Sequence, residues 1–196
     1  MYTIWMFSKW YPNREDPQLG VFIRKHAECI SAHSKISVLY IHSFQGKGEE
    51  KLTETLSGNL HEVICYLKSA DGLVSRIFYP FRYLMAVRKG IKAMKRNHPD
   101  PDIFHGYILL RTALIAKYLS ILHHKPYVIS EQWSGYATGK YVGKNFVVKK
   151  LSEWICANSA GMTAVSKFLV EKMHSFSLRN RQEMIIGNVI GNGKIN

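Results

Sequence analysis

The sequence predicts an α/β fold, in which a mostly parallel, doubly wound sheet carries helices on both of its faces. Short apolar runs alternate with longer amphipathic stretches along the chain, and this alternation is typical of strands joined by crossover helices. The length of 196 residues and the 46% of hydrophobic residues are those of a globular domain with a sizeable core. We therefore expect one doubly wound domain.

Three apolar runs in the first half of the chain predict buried strands. Residues 2–7 are almost wholly apolar, and residues 36–41 and 63–67 repeat this composition with several β-branched side chains. Residues 45–59, between the last two runs, are polar and contain glycines. We therefore expect a mobile surface excursion there.

Two helices are expected in the same half. The first follows Gly20, and one of its faces is formed by residues at three- and four-residue spacing: Phe22, Ile23, His26, Ala27, Cys29 and Ile30. The second covers residues 78–97, where apolar and basic side chains recur at helical spacing. It ends at His98-Pro99, because proline cannot continue a helix.

The second half of the chain repeats the alternation at shorter intervals. Its predicted strands are residues 103–105, 127–129, 162–165 and 184–186, and its predicted helices are residues 109–122, 144–158 and 167–173. This order of elements completes a parallel sheet, since each parallel connection needs a crossover.

Three loops follow predicted strands and are the candidates for a binding site. They cover residues 8–20, 106–111 and 130–143. Ligands of doubly wound sheets bind outside the carboxyl ends of the strands, where these loops lie. Gly20 lets another backbone or a ligand come close, and the helix start behind it favours anionic groups through its free N–H groups.

The charge of the chain indicates an anionic partner. The formal net charge is +13 and the pI is near 9.7, which suits a nucleic acid, an acidic membrane surface or a phosphorylated substrate. Residues 76–96 contain no acidic residue, and Phe78 and Phe81 stand among the basic ones. Such runs are often only solvated faces, but this mixture favours an anionic membrane surface or a lipid-linked acceptor. The residues that we assign to this surface are Arg76, Arg82, Arg88, Lys92 and Lys95.

The cysteines and the apolar runs bear on the compartment. Cys29, Cys65 and Cys156 form neither a metal-binding spacing nor a disulfide framework, so we expect buried thiols in a reducing compartment. No run matches a secretion signal or a membrane span. We expect a cytoplasmic protein. The basic residues described above also suit a peripheral position on the inner face of the membrane. No metal-ligand pattern occurs among the nine histidines, and no metal is expected.

Several short motifs together resemble the amino-terminal domain of family 4 glycosyltransferases of GT-B architecture. They are WYPN at 10–13, LGVFI at 19–23, KHA at 25–27, DIFH at 102–105, VISEQWSGY at 128–136 and AVS at 164–166. The resemblance implies two Rossmann-like domains with the active site between them. The amino-terminal domain usually holds the acceptor, and the carboxyl-terminal domain binds most of the nucleotide-sugar donor.

The resemblance also implies how the chain is divided. Residues 1–186 correspond to the Rossmann-like amino-terminal domain, residues 187–196 resemble the start of the interdomain linker, and the donor domain is absent. The expected function is that of the acceptor-binding domain of a retaining, metal-independent glycosyltransferase of bacterial surface polysaccharide or lipopolysaccharide synthesis. This chain alone is expected to be inactive. The implied partners are a nucleotide sugar, as co-substrate and without another cofactor, and a glycan or lipid-linked acceptor.

The resemblance assigns roles to particular residues. Gln132 stands where the family commonly has a histidine; an amide does not titrate but can orient a sugar hydroxyl. Gly20, Phe22 and Arg24 form the expected donor-phosphate or acceptor loop. The expected acceptor-binding residues are Tyr11, Asn13, His105, Glu131, Trp133 and Tyr136.

Each of these roles has a simpler alternative. Gly20 is also a plain turn glycine, and His105 is equally explained as a packed side chain. Trp133 and Tyr136 are either a sugar-stacking platform or aromatic residues of a lid or an interface.

A second function of another class also fits the composition. A basic Rossmann-like module would bind nucleic acid or an anionic membrane without catalysis. We expect no nucleic-acid partner, because the sequence has no nucleic-acid motif and its aromatic residues lie in predicted strand-end loops.

Overall fold

The computed structural model describes residues 1–70 and 72–188. Its strands are β1 (Thr3–Ser8), β2 (Lys35–Phe44), β3 (Leu52–Ser57), β4 (Leu60–Lys68), β5 (Ile103–Tyr107), β6 (Tyr127–Glu131), β7 (Gly161–Ala164) and β8 (Glu183–Ile185). Its helices are α1 (Val21–Ser31), α2 (Leu73–Asn97), α3 (Arg111–His123), α4 (Phe146–Ala157) and α5 (Lys167–His174). The strands form one sheet in the order β3-β4-β2-β1-β5-β6-β7-β8, and every pair except β3 and β4 is parallel. The predicted α/β class is therefore confirmed.

Alternate residues of the strands pack on opposite faces of the sheet. Trp5 and Phe7 of β1 belong to a core that also includes buried residues of α2, α3, α4 and α5. Met6 between them belongs to a second core, which contains Ile23 and Ala27 of α1. Four helices thus cover one face and α1 covers the other, as period-2 alternation in a strand requires.

The order of the strands reverses between β1 and β5. The connection from β1 through α1 leads to β2 on one side, and the connection from β4 through α2 leads to β5 on the other. Ser8 and Tyr107, the last residues of these two strands, lie opposite each other in register. The loops that follow them diverge, and a crevice opens at such a point in doubly wound sheets.

Two predicted elements differ in the structure. The expected excursion at residues 45–59 contains β3, which pairs antiparallel with β4 at the sheet edge. The prediction was wrong because an edge strand has solvent on one side and needs no apolar run. Helix α2 begins at Leu73 and includes Pro80, although it was expected to begin at Phe78.

Other expectations concern the cysteines and the end of the chain. Cys65 and Cys156 are buried as expected, whereas Cys29 is exposed on α1, so the prediction of three buried thiols was wrong for this residue. No helix within the described residues is long and apolar enough to cross a bilayer. Of the expected linker at 187–196, the first two residues lie outside regular structure, and residues 189–196 lie outside the described part of the chain.

Candidate functional site

The carboxylate of Glu131 joins two loops at the carboxyl edge of the sheet. It is fully buried at the end of β6. Its Oε1 accepts hydrogen bonds from the backbone N–H groups of Gln132 (2.8 Å) and Trp133 (2.7 Å), and its Oε2 accepts from Leu109 N–H (2.8 Å) and the Tyr136 hydroxyl (3.0 Å). Burial raises the pKa of this carboxyl, and the four donors oppose that shift.

The turn between β5 and α3 is held in an unusual backbone conformation. Ile108 and Leu110 have φ values of 70° and 76°, which residues with a Cβ rarely adopt. Leu109, between them, donates its N–H to Glu131, and the Thr112 hydroxyl donates to the carbonyl of Tyr107 at 3.1 Å. Strained turns persist only where their surroundings fix them, and they cluster at functional sites.

Gln132, the predicted catalytic residue, follows Glu131 and is half-buried. It lines a cavity of about 430 Å³ between α1 and the strands β5 to β8, together with His26 and Tyr107. Its side-chain Nε2 donates to the Tyr107 hydroxyl at 2.7 Å, and that hydroxyl lies 2.6 Å from Nδ1 of His26. The hydroxyl accepts in the first contact, and the tautomer of His26 decides whether it donates or accepts in the second. In this arrangement the amide oxygen of Gln132 is the hydrogen-bond acceptor that the side chain can offer to a ligand.

The aromatic residues of the same loop divide into one that is accessible and one that is buried. The half-buried Trp133 lies across Gly135, where a Cβ would come within 2.1 Å of the indole ring. Tyr136 packs edge-on against Trp133, with a centroid distance of 5.1 Å, and is buried with its hydroxyl on Glu131. Trp133 therefore retains accessible surface at the crevice, whereas Tyr136 supports it from below.

A basic cavity of about 260 Å³ lies in the crevice. It is lined by Ser8, Lys9, Ile41, Ser43, Tyr83, Leu109, Leu110, Arg111, Thr112 and Lys144. Lys9 Nζ also lies 4.9 Å from the ring centroids of both Trp10 and Trp133, so the cavity adjoins the loop that carries Gln132. The partial loss of hydration lowers the pKa of Lys9; nearby Glu131 acts in the opposite direction, and Lys144 and Arg111 lower it further.

Sequence reasoning did not select Lys9, Arg111 or Lys144. A positional signal was present for the first two. Lys9 comes directly after the last residue of β1, and Arg111 is the first residue of α3, in the predicted loops that follow β1 and β5. Lys144 is distant in sequence, and only the fold brings it to the cavity.

Five of the expected site residues form a separate cluster around the start of α1. The buried Tyr11 donates its hydroxyl to Glu62 at 2.7 Å, and Arg24 forms an ion pair with the same carboxylate at 3.0 Å. Asn13 accepts hydrogen bonds from the backbone of the loop. Phe22 packs against the second core, and Gly20 has φ +67° with the Trp10 carbonyl group 2.8 Å from where its Cβ would be. The structure thus joins these residues to one another and not to Gln132.

His105 faces the cavity of about 430 Å³ between α1 and the strands β5 to β8, which Gln132 and Glu131 also line. Its Nε2 lies 2.8 Å from the Ser130 hydroxyl, which lies 2.7 Å from the hydroxyl of Thr163. Burial, with a smaller effect of His26, lowers the pKa of His105 to about 4. His105 is therefore a neutral side chain near pH 7, and it lies on the face of the sheet that α1 covers.

The described residues contain no group of three His, Cys, Asp or Glu side chains placed to hold a metal ion. The charged groups at the crevice are instead cationic, apart from the hydrogen-bonded Glu131. Such a site can bind anions and can hold a hydroxyl group by hydrogen bonds from its surroundings.

The basic residues assigned to an anionic surface lie on α2. Arg88, Lys92 and Lys95 are exposed in one row along the helix, and Arg76 is exposed outside that row. Arg82 contacts the carboxylate of Glu50. The structure thus places three of the five on one line.

Comparison with known proteins gives a match in structure and none in sequence. No protein-family model and no curated protein matches this chain. It superposes on sucrose-phosphate synthase from Thermosynechococcus elongatus with a TM-score of 0.63 and 10% identity, over 95% of this chain and 48% of that chain.

Two further solved structures give similar results. For the E. coli trehalose-6-phosphate synthase bound with UDP-2-fluoro glucose, the TM-score is 0.51 at 10% identity, over 89% of this chain and 41% of that one. For Arabidopsis thaliana UGT89C1 complexed with UDP-L-rhamnose, the TM-score is 0.53 at 10% identity, over 95% of this chain and 51% of that one. The chain spans about half the length of these structures. It has the architecture of one half of a GT-B fold.

Proposed function

We propose that this chain is the acceptor-binding domain, over residues 1–186, of a retaining, nucleotide-sugar-dependent glycosyltransferase of family 4. The observation that carries this proposal is the carboxyl edge of the sheet, where Glu131 holds the loop that presents Trp133 beside the crevice and Gln132 in the cavity on the α1 face. The fold supports it, since the solved structures that share this architecture are GT-B glycosyltransferases. A role in bacterial surface polysaccharide or lipopolysaccharide synthesis, without a metal, is part of the proposal.

In this proposal the chain supplies orientation rather than acid–base chemistry. The amide oxygen of Gln132 accepts a hydrogen bond from an acceptor hydroxyl, while one N–H of the amide donates to Tyr107 and fixes the orientation of the side chain. Trp133 offers an apolar ring face to the acceptor sugar. The acceptor oxygen then forms a bond to the donor sugar as the bond to the diphosphate breaks, and the hydroxyl proton leaves with the diphosphate. Positioning of this kind lowers a barrier without a titrating group.

The proposal is tested by glycan binding to residues 1–196. We expect saturable binding of acceptor glycans in ligand-observed NMR, weakened by Trp133→Ala and by Gln132→Ala. Trp154→Ala is the matched control, because Trp154 is exposed on α4, away from the crevice. Unchanged binding in the Trp133 and Gln132 variants would refute the proposed site. Turnover of any nucleotide sugar by residues 1–196 alone would refute the two-domain organisation.

We also propose a peripheral position on an anionic membrane, at the cytoplasmic face, because of the exposed side of α2. Leu73, Ile77, Phe81 and Leu84 follow one another at helical spacing, and Ile77 and Phe81 are 66% and 64% exposed. The same row continues with Arg88, Lys92 and Lys95. The outward face is thus apolar along the first half of the helix and basic along the second.

Such a face matches the chemistry of an acidic bilayer surface. The apolar residues can enter the interfacial region while the basic row meets lipid phosphates, each basic residue contributing about 1 kcal/mol. A second copy of the chain fits less well, because it would bring a net charge of +13 against another +13.

Vesicle flotation tests the membrane proposal. We expect binding to anionic vesicles and not to neutral ones, with most of it lost near 1 M salt, where the Debye length is about 3 Å. Phe81→Ser, or the combined change of Arg88, Lys92 and Lys95 to Gln, should abolish it. Changing Lys167, Lys172 and Arg179 to Gln removes the same charge elsewhere and should have little effect. Tight binding of duplex DNA without vesicle binding would instead support the nucleic-acid module.

A further inference from the structure

We infer that the cavity between Lys9, Arg111 and Lys144 binds a phosphate group carried by the acceptor. That the phosphate belongs to an acceptor rests on the proposed function; the anion site itself stands on the geometry of the cavity. The expected ligand carries a phosphate ester next to a sugar. It is either a soluble sugar phosphate or a lipid-linked one.

The position of the cavity is the first argument. Its walls come from Ser8 and Lys9 at the end of β1, and from the turn and helix start after β5, including Arg111. These are the two strands between which the strand order reverses. Ligands of doubly wound sheets bind in the crevice at this point, so the cavity occupies the expected ligand position of the fold.

The second argument is the lack of ion pairs at the cavity. Three arginines elsewhere are paired with carboxylates: Arg24 with Glu62, Arg82 with Glu50, and Arg96 with Glu54. Within residues 1–70 and 72–188, no carboxylate lies within 4.0 Å of a side-chain nitrogen of Lys9, Arg111 or Lys144. Three like charges around one cavity repel one another, and an anion between them would offset this repulsion.

The hydrogen-bonding groups of the cavity favour an anion over a neutral sugar. The hydroxyls of Ser8 and Thr112 already donate to backbone carbonyls, at 2.5 Å to Trp10 and at 3.1 Å to Tyr107. The charged donors left for a ligand are the ammonium groups of Lys9 and Lys144 and the guanidinium of Arg111, and the hydroxyls of Ser43 and Tyr83 also line the cavity. A guanidinium binds phosphate through two parallel hydrogen bonds, and a phosphate ester, with a charge of about −1.5 to −2, balances several cations better than a carboxylate does.

The size and surroundings of the cavity point to a group within a larger ligand. Its volume of about 260 Å³ lies below the roughly 300–1,000 Å³ of complete ligand pockets. Lys9 Nζ lies 4.9 Å from the ring centroid of Trp133. A phosphate in the cavity would thus place an attached sugar beside Trp133.

Titration of the chain with inorganic phosphate, a hexose phosphate and the same hexose without phosphate tests the inference. We expect both phosphates to bind, and the hexose phosphate to bind more tightly than the hexose. Lys9→Gln and Arg111→Gln should each lower phosphate affinity at least tenfold. Lys140→Gln is the matched control, because Lys140 is exposed in the loop that leads to Lys144 and does not line the cavity.

Other outcomes separate the inference from the proposed function. Phosphate affinity that is the same in Arg111→Gln as in the unchanged chain, with an unaltered melting temperature, would overturn the phosphate site. A second outcome is phosphate binding that depends on Arg111, with the hexose phosphate bound no more tightly than inorganic phosphate and with no effect of Trp133→Ala. This outcome would keep the anion site and refute its role in acceptor binding. Binding confined to vesicles that carry a polyprenyl phosphate, and lost in Arg111→Gln, would identify the lipid-linked source.

Discussion

The side-chain amide of Gln132 donates a hydrogen bond of 2.7 Å to the hydroxyl of Tyr107, across the boundary between β6 and β5. The hydroxyl is also hydrogen-bonded to Nδ1 of His26, at 2.6 Å, on α1. One hydroxyl therefore connects Gln132 to α1, and all three side chains line the cavity on that face of the sheet. The orientation of Gln132 depends on the buried Tyr107.

Replacing Tyr107 with Phe should loosen Gln132 and leave Nδ1 of His26 without this partner. We expect a loss of stability of about 1–3 kcal/mol, because two hydrogen bonds of the buried Tyr107 hydroxyl are lost. We also expect weaker glycan binding. Urea unfolding and NMR titration measure the two effects. Tyr118→Phe is the control, since Tyr118 is exposed on α3, and equal results for the two variants would contradict this prediction.

Glu131→Gln should destabilise both loops of the crevice. The amide has nearly the same shape, but its NH₂ group would face N–H or O–H donors that now point at a carboxylate oxygen. The expected cost is about 2–3 kcal/mol in the free energy of unfolding. Glu171→Gln, at an exposed position of α5, should change it by less than about 0.5 kcal/mol. A stable, unperturbed Glu131→Gln protein would show that these four contacts contribute little.

Gly20 and Gly46 allow backbone strain to be separated from a steric clash. Both have a positive φ, +67° and +82°, but only at Gly20 would a Cβ meet other atoms, the Trp10 carbonyl group at 2.8 Å. Gly46→Ala should cost about 1–2 kcal/mol, the strain of the left-handed conformation. Gly20→Ala should cost about 1–3 kcal/mol more, because the loop must move. Thermal unfolding of both variants measures the difference, and equal losses would argue against the clash.

Stability should fall as the pH drops below about 6.5. His105 has a pKa of about 4 in the folded chain, below its ordinary value of 6.5, so the unfolded chain binds a proton more readily. The stability that this histidine contributes is present above pH 6.5 and is lost as the pH falls towards 4, by about 3 kcal/mol at most. The pKa values of His26, His61 and His98 are also lowered, chiefly by burial, and act in the same direction.

Melting temperatures measured from pH 7.5 to pH 4.5 test this dependence. His105→Gln should be less stable at pH 7.5 and should lose less stability on acidification. His124→Gln is the comparison, because His124 is exposed at the end of α3. The same pH slope in His105→Gln as in the unchanged chain would contradict the assignment to His105.

The parts of the fold that the sequence predicts are those in which burial decides the structure. Strands β1, β2 and β4 are buried along most of their lengths, and their apolar runs identify them. Strand β3 was missed because four of its six residues are exposed and its pairing with β4 is a tertiary event. Likewise, α2 extends to Leu73 although its first turns carry exposed apolar residues and a proline, which local patterns do not identify as helix.

The sequence predicted the position of the candidate site better than the residues that form it. The loops after β1, β5 and β6 followed from the fold class, and the structure brings parts of all three together around Lys9, Leu109 and Trp133. The roles within them did not follow. Tyr11 and Asn13 lie in the loop after β1, but their polar atoms are satisfied within the protein, and only three-dimensional contacts reveal this.

The shared carboxylate of Glu131 makes the two sides of the crevice thermodynamically linked. Leu109 and Glu131 are 22 positions apart in the chain, yet one side chain orders both the turn before α3 and the loop that begins at Gln132. A ligand that rigidifies one of these segments reduces the ordering entropy that a second ligand must overcome at the other. Occupation of the basic cavity and occupation of the Trp133 surface should therefore reinforce each other, and by reciprocity each should tighten the other by the same factor.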